Sequence, residues 1–253
     1  MMPLAAATSL AVHRSRKLIA EFRLHRPRSG AEAVALKAAA GSGAVFMAGG
    51  IDVVNRMKFG VSVTEVIHLG RIDGLDRIEE QDGGLQLGAL VTHDQLANSP
   101  QVRTRLPSLA QTWPDVANIR IRCKGTIGGN IMAGDPSYDF ALAAMAAEAQ
   151  LHFLSLDGST VLAAADGMAK QVGLLTAIVF PFGSTLRLLF DRSLRPIVSL
   201  ALGLDSADGR ITGGRAAIVL LCGIGLALFG LVELGEIAVQ RWYGGEMPVG
   251  GVI

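Results

Sequence analysis

The chain has 253 residues with 23 Lys+Arg against 22 Asp+Glu, a net charge of +1, so it can form one large domain or two smaller ones, and its dispersed basic residues argue against a nucleic-acid partner. Two cysteines, Cys123 and Cys222, exclude a four-thiolate iron–sulfur cluster and a disulfide framework, which fits a reducing cytoplasm and leaves any redox chemistry to an organic cofactor or a partner chain. With 31 glycines and 5% aromatics, the composition is that of a globular protein rich in tight turns.

The predicted elements begin after an N-terminal extension, residues 1–20. Its apolar stretch is followed, not preceded, by His13-Arg14-Ser15-Arg16-Lys17; this order is wrong for a secretory signal and fits an over-extended start or a loose tail. Ser29-Gly30-Ala31-Glu32 has capping-box spacing and opens a helix over 31–40. Gly41 and Gly43 end it, and Ala44-Val45-Phe46-Met47 is a buried strand running into Gly49-Gly50. A loop and a second strand at 65–69 make a small parallel α/β unit. Residues 84–89 alternate as a strand. Thr92-His93-Asp94-Gln95 is a second capping box, and Ser99-Pro100 a further helix start. A helix is expected over 106–118, kinked or restarted at Pro114. After the glycine-rich segment 125–134, a helix is expected over 137–150, then strands at 151–156 and 174–180. Residues 198–204 and 210–212, around Asp208-Gly209, make a last hairpin.

Two loops carry the candidate chemistry. In Ala48-Gly49-Gly50-Ile51-Asp52-Val53, glycines directly after a strand let backbone N–H groups face an anion such as a pyrophosphate; a plain turn needing φ > 0 is the alternative for this loop taken alone. Lys124-Gly125-Thr126-Ile127-Gly128-Gly129-Asn130 repeats the device and adds a hydroxyl and a carboxamide suited to the hydroxyl groups of a long dinucleotide. Asp139 follows on the next helix, where it either faces such a ligand or serves the helix N-terminus. His25, His68, His93 and His152 are expected at the surface or at strand ends, and no histidine pair suggests a metal site.

The run Ile121-Arg122-Cys123-Lys124-Gly125-Thr126-Ile127-Gly128-Gly129-Asn130, with Gly134-Asp135-Pro136 and Asp139, resembles the signature of FAD-binding subunits in the xanthine dehydrogenase and carbon monoxide dehydrogenase family of molybdenum hydroxylases. Phe22 with His25-Arg26-Pro27-Arg28-Ser29, and Met47-Ala48-Gly49-Gly50 with Asp52 and Lys58, agree with it, as do Gly88-Ala89 with Thr92 and Leu96, and Leu174-Leu175-Thr176-Ala177-Ile178 before Pro181. The likeness spans residues 22–181, with a further stretch at 199–215.

The resemblance implies an α+β, two-subdomain FAD-binding fold of the vanillyl-alcohol-oxidase/PCMH type: subdomains at 21–75 and 76–182, then a remnant of the C-terminal domain at 183–215. By position, the backbone of Ala48, Gly49, Gly50, Ile51, Asp52 and Val53 would hold the pyrophosphate. Thr126, Gly128, Gly129, Asn130 and Asp139 would bind the rest of FAD, and Leu175 would pack near the flavin. The partners implied are a molybdenum-binding large subunit and a [2Fe–2S] small subunit in a dimer of heterotrimers, the chain passing electrons from the clusters to NAD or another acceptor and being inactive alone. A nucleotide-binding module without redox activity is the rival reading, as is a degenerate membrane-anchored fusion product.

Some positions depart from the pattern. Ile51 stands where a polar residue is common, Cys123 replaces a frequent Asn, and the segment between Asp166 and Leu174 is short. After Arg215 the chain enters an uncharged apolar run, 216–232, where the resemblance predicts a C-terminal domain. A truncated domain and an apolar C-terminal helix are therefore expected. That helix would either touch a membrane, with Trp242-Tyr243 as its aromatic flank, or pack in a subunit interface.

Overall fold

The computed structural model describes residues 19–135, 138–170, 172–182, 187–192, 198–207, 210–222, 226–233 and 236–238. Residues 1–18 of the expected extension, and Trp242-Tyr243, lie outside the described residues.

Three sheets organise the chain. The first is parallel, in the order β1-β3-β2, from β1 (Arg23–His25), β2 (Ala44–Met47) and β3 (Glu65–His68). Helix α1 (Gly30–Ala40) precedes β2, and α2 (Ile51–Lys58) follows it. The small parallel unit is as expected, and so is the cap of α1: Ser29 Oγ accepts from Glu32 N at 3.2 Å while Glu32 accepts from Arg28 N at 2.8 Å, satisfying two amides at the helix start. Helix α1 also joins the first sheet to the second. Its Ala33 and Val34 cluster with Ala44, Ile67 and Leu69, and also with Leu174 from β8.

The second sheet is antiparallel, in the order β4-β5-β8-β6-β7. Its strands are β4 (Ile78–Gln81), β5 (Gly84–Gly88), β6 (Gln150–Ser155), β7 (Gly158–Ala163) and β8 (Leu174–Pro181). Between β5 and β6 run α3 (His93–Asn98), α4 (Pro100–Arg105), α5 (Pro107–Thr112), α6 (Ile119–Arg122), α7 (Ile127–Met132) and α8 (Phe140–Ala146); α9 (Ala164–Lys170) follows β7. Period-2 alternation puts Leu85, Leu87, Leu151, Phe153, Ile178 and Phe180 in one core with Trp113 and Phe140, all at or below 2% exposure, each large side chain contributing about 1.5–3 kcal/mol. Both further caps form: Thr92 with Gln95 as a full capping box, and Ser99 Oγ on Val102 N.

Two helices are shorter than the sequence reading predicts. Pro114 ends α5, and a 3-10 turn, Trp113–Asp115, leads to Ala117 at φ 56°, because proline cannot donate to the preceding turn. The helix expected over 137–150 is α8, left at Ala147 and Glu148, the latter at φ 50°.

The third sheet corrects the reading of the C-terminal part. β9 (Arg187–Arg192), β10 (Val198–Ala207), β11 (Arg210–Cys222), β12 (Leu226–Glu233) and β13 (Glu236–Ala238) form one antiparallel sheet in the order β13-β12-β11-β10-β9. The run 216–232 is therefore not helical in its described residues, 216–222 and 226–232. It supplies the end of β11 and most of β12, paired from Ala216↔Val232 to Cys222↔Leu226. An apolar run interrupted by Gly223 and Gly225 satisfies two paired strands better than one helix, since each internal glycine costs a helix about 1 kcal/mol. Among the described residues no helix is long and apolar enough to cross a membrane.

Candidate functional site

The first glycine loop lies at the carboxyl end of the parallel sheet, where α/β folds leave room for ligands. Gly50, at φ 79°, is the N-cap of α2, and no side chain caps that helix. The amides of Ile51, Asp52 and Val53 occupy its first turn, before the first intrahelical bond from Val54 N to Gly50 O at 3.0 Å. By helix geometry these amides have no acceptor within the helix, and they lie at its positive end. Asp52 turns aside to Arg56, at 2.7 Å, and Arg56 also donates to Ala133 O at 2.6 Å, tying α2 to the end of α7. Burial raises the Asp52 pKa, Arg56 opposes this and Asp135 adds to it. Tyr138 is raised by burial and then by Asp52 and Asp135, so its hydroxyl is near the same two carboxylates.

The second loop lies along residues 89–93 as an extra antiparallel rung. His93 N donates to Gly125 O at 3.0 Å, Ile127 N to Val91 O at 2.9 Å and Gly128 N to Ala89 O at 3.0 Å, and Thr92 bridges Thr126. Gly128 is required there, because a Cβ would lie 2.5 Å from Ala89 O. Thr126, 6% exposed, is the N-cap of α7 and accepts from Gly129 N at 3.0 Å. One lone pair of its hydroxyl therefore serves the loop's own shape, leaving the second lone pair and the O–H.

The two loops, distant in sequence, touch. A Cβ on Gly49 would overlap the Lys124 carbonyl oxygen and lie 2.6 Å from its carbon, so the backbone of one loop rests on that of the other. On α7, which the second loop opens, Asn130 has a buried Oδ1 with no hydrogen-bond partner. An orphaned acceptor costs about 1–3 kcal/mol unless a donor arrives. Uncapped amides for an anion and an unmet acceptor for a hydroxyl or N–H are what an extended dinucleotide offers to fill, so the residues present fit FAD.

Asp139 and Leu175 are placed differently from the loops. Asp139, 5% exposed, stands at the N-cap of α8 and accepts from Ser199 Oγ of β10 at 2.5 Å. Leu175, 3% exposed, packs in the core cluster that includes Ile127 and Ile131 of α7. Sequence reasoning missed Ser199, Arg56 and Lys124 O, which no motif marks. It also misplaced His93, which is 5% exposed rather than at the surface: its ring accepts from Trp113 Nε1 at 3.3 Å, and burial, with Arg122, lowers its pKa to about 4. His152 has a buried Nε2 with no hydrogen-bond partner on β6. Among the described residues no group of His, Cys, Asp and Glu could hold a metal.

Known proteins converge on this reading. The family model described as FAD binding domain in molybdopterin dehydrogenase matches residues 20–182. The carbon monoxide dehydrogenase medium chain of Hydrogenophaga pseudoflava is 38% identical over 134 residues, 53% of this chain and 46% of its own length. The nicotine 6-hydroxylase medium subunit of Paenarthrobacter nicotinovorans is 30% identical over 168 residues, 60% of this chain and 58% of its own. The chain thus spans about half the length of the curated relatives it matches. Among solved structures, carbon monoxide dehydrogenase from Hydrogenophaga pseudoflava superposes with TM-score 0.74 at 27% identity, covering 79% of this chain and 75% of that one. Quinoline 2-oxidoreductase from Pseudomonas putida 86 gives 0.72 at 25%, covering 79% and 74%. With most of the described fold and both loops inside these matches, the chain belongs to the FAD-binding family of the molybdopterin dehydrogenases, and FAD is its cofactor.

Proposed function

We propose that the chain is the electron-transfer subunit of a molybdenum hydroxylase, taking electrons from the [2Fe–2S] clusters of a partner and delivering them to NAD or another acceptor. The observation that carries this is the contact of the two glycine loops, together with the uncapped helix start on one and the orphaned Asn130 Oδ1 on the other. In this reading residues 21–75 and 76–182 are the two subdomains of a PCMH-type fold, followed by a C-terminal unit. The backbone of Ala48 to Val53 holds the pyrophosphate, Thr126, Gly128, Gly129 and Asn130 hold the rest of FAD, and buried Asp139 and Leu175 complete the set.

When bound, FAD supplies both one- and two-electron exchange, and the protein's part is orientation and electrostatics. The chain's own residues then act as a cradle: first-turn amides of α2 neutralise phosphate charge, and Asn130 accepts from the ligand. The Asp52–Arg56 pair, bonded on to Ala133, holds α2 against α7. No residue is assigned a proton-transfer role. A molybdenum-binding large subunit and a [2Fe–2S] small subunit are the proposed partners, in a dimer of heterotrimers, with the large subunit selecting the substrate.

Co-expression with the molybdenum and [2Fe–2S] subunits tests this. The reading predicts a complex whose flavin absorbance bleaches on adding a substrate of the large subunit and returns on adding an acceptor. A complex that turns over with its flavin unbleached, or a chain that copurifies with neither subunit, contradicts it.

A further inference from the structure

The second loop is held by backbone bonds to residues 89–93, and the His93 side chain packs against it. His93 opens α3, and two contacts join it to Gly125 of the second loop. Its backbone N donates to Gly125 O at 3.0 Å. Its ring edge fills the space where a Gly125 side chain would go, Cδ2 lying 3.1 Å from that Cβ position. Behind it, Nδ1 accepts from Trp113 Nε1 at 3.3 Å, and Trp113 is fully buried against Phe140 and Phe190. One residue before Gly125, the Lys124 carbonyl is the surface on which Gly49 rests. A series of contacts therefore runs from Trp113 through His93 to Gly125 and Lys124, and so to the first loop.

We propose that His93 is a positioning residue for the FAD cleft: held by Trp113, its neutral ring supports Gly125 from below and sets the separation of the two loops. This rests on the reading of the cleft as the FAD site.

Neutrality follows from the hydrogen bond, because Nδ1 can accept the indole proton only while unprotonated. The charged groups on the elements packed around α3 are Arg103 and Arg105 of α4, Asp115 of the 3-10 turn, and Arg120 and Arg122 of α6. Asp94 lies on α3 itself. Of these, Arg122 acts on the ring, and it opposes protonation. A ring forced to carry a proton would turn a donor toward the Trp113 donor, and the support under Gly125 would be lost.

The test is FAD titration of the full chain by quenching of flavin fluorescence, from pH 4 to pH 8, for wild type, His93→Asn, His93→Leu and Trp113→Phe. Asparagine presents Oδ1 near the position of Nδ1 and does not titrate. We expect His93→Leu to weaken FAD binding about tenfold, as for a lost buried hydrogen bond, and His93→Asn to stay within about threefold of wild type with a flatter acid limb. Trp113→Phe keeps the apolar volume but removes the donor, so it should weaken binding and move the acid limb upward even if His93→Leu does not fold. Leucine and asparagine variants that bind alike, or an acid limb unchanged in His93→Asn, would overturn the proposal. Wild type that binds no FAD would instead overturn the assignment of the cleft, and this proposal with it.

Discussion

Gly49→Ala isolates the contact between the loops. The added Cβ would lie 2.6 Å from the Lys124 carbonyl carbon, where ordinary contact begins at 3.4 Å, so the backbones must separate by at least 3.4 − 2.6 = 0.8 Å, and by more at the overlapped oxygen. Neither atom is the end of a flexible side chain, and both loops are anchored, the second by its bonds to residues 89–93. Overpacking of this kind costs about 1–3 kcal/mol. If, as proposed, phosphate donors lie on one loop and Asn130 on the other, this shows as a loss of FAD affinity of roughly tenfold to a hundredfold. Equilibrium FAD titration gives the affinity, and thermal unfolding of the FAD-free protein reports stability in parallel. Wild-type affinity in a folded Gly49→Ala chain would refute the idea that the loop contact shapes the site.

Asn130→Ala removes an acceptor that is unsatisfied without ligand, so the FAD-free protein should melt no lower than wild type while FAD binding weakens about tenfold; a lower melting point with unchanged affinity would assign Asn130 to the fold alone. Burial lowers His93 from 6.5 to about 4, so as pH falls the unfolded chain takes up that proton first. The stability contributed by the neutral ring is whole above about 6.5, declines progressively to about 4 and is constant below. At 1.36 kcal/mol per unit this is about 3 kcal/mol, and it should be missing from the pH dependence of urea unfolding in His93→Asn. Ser199→Ala deletes the hydroxyl that donates to buried Asp139, a buried hydrogen bond worth about 0.5–1.5 kcal/mol; a melting temperature unmoved in that variant would show that this bond does not hold β10 to the start of α8.

The cleft was legible where a motif is also a local backbone requirement. Gly50 must reach φ 79°, Gly128 must admit the Ala89 carbonyl, and Ser29, Thr92 and Ser99 cap helices with hydroxyls that announce them. What escaped depends on long-range approach. Nothing local marks Lys124 O as the seat of Gly49, or Ser199 as the partner of Asp139 sixty residues earlier. His93 reads like any exposed first-turn residue of a helix, because its burial is decided by Trp113 twenty positions on. The run 216–232 was misread for a different reason: two successive apolar strands have the same composition as one apolar helix, and the register with β10 and β12 is invisible from composition. Strands β1 and β4, of three and four residues, are too short to show a period.

Titration of the purified, flavin-free chain with FAD, followed by flavin fluorescence and by competition with ADP, tests the central claim most directly. The account predicts saturation at one FAD per chain with a perturbed flavin spectrum, and ADP competing far more weakly because it lacks the ribityl and flavin portions that the second loop receives. A chain that leaves flavin fluorescence unchanged, or that takes ADP as tightly as FAD, would contradict it.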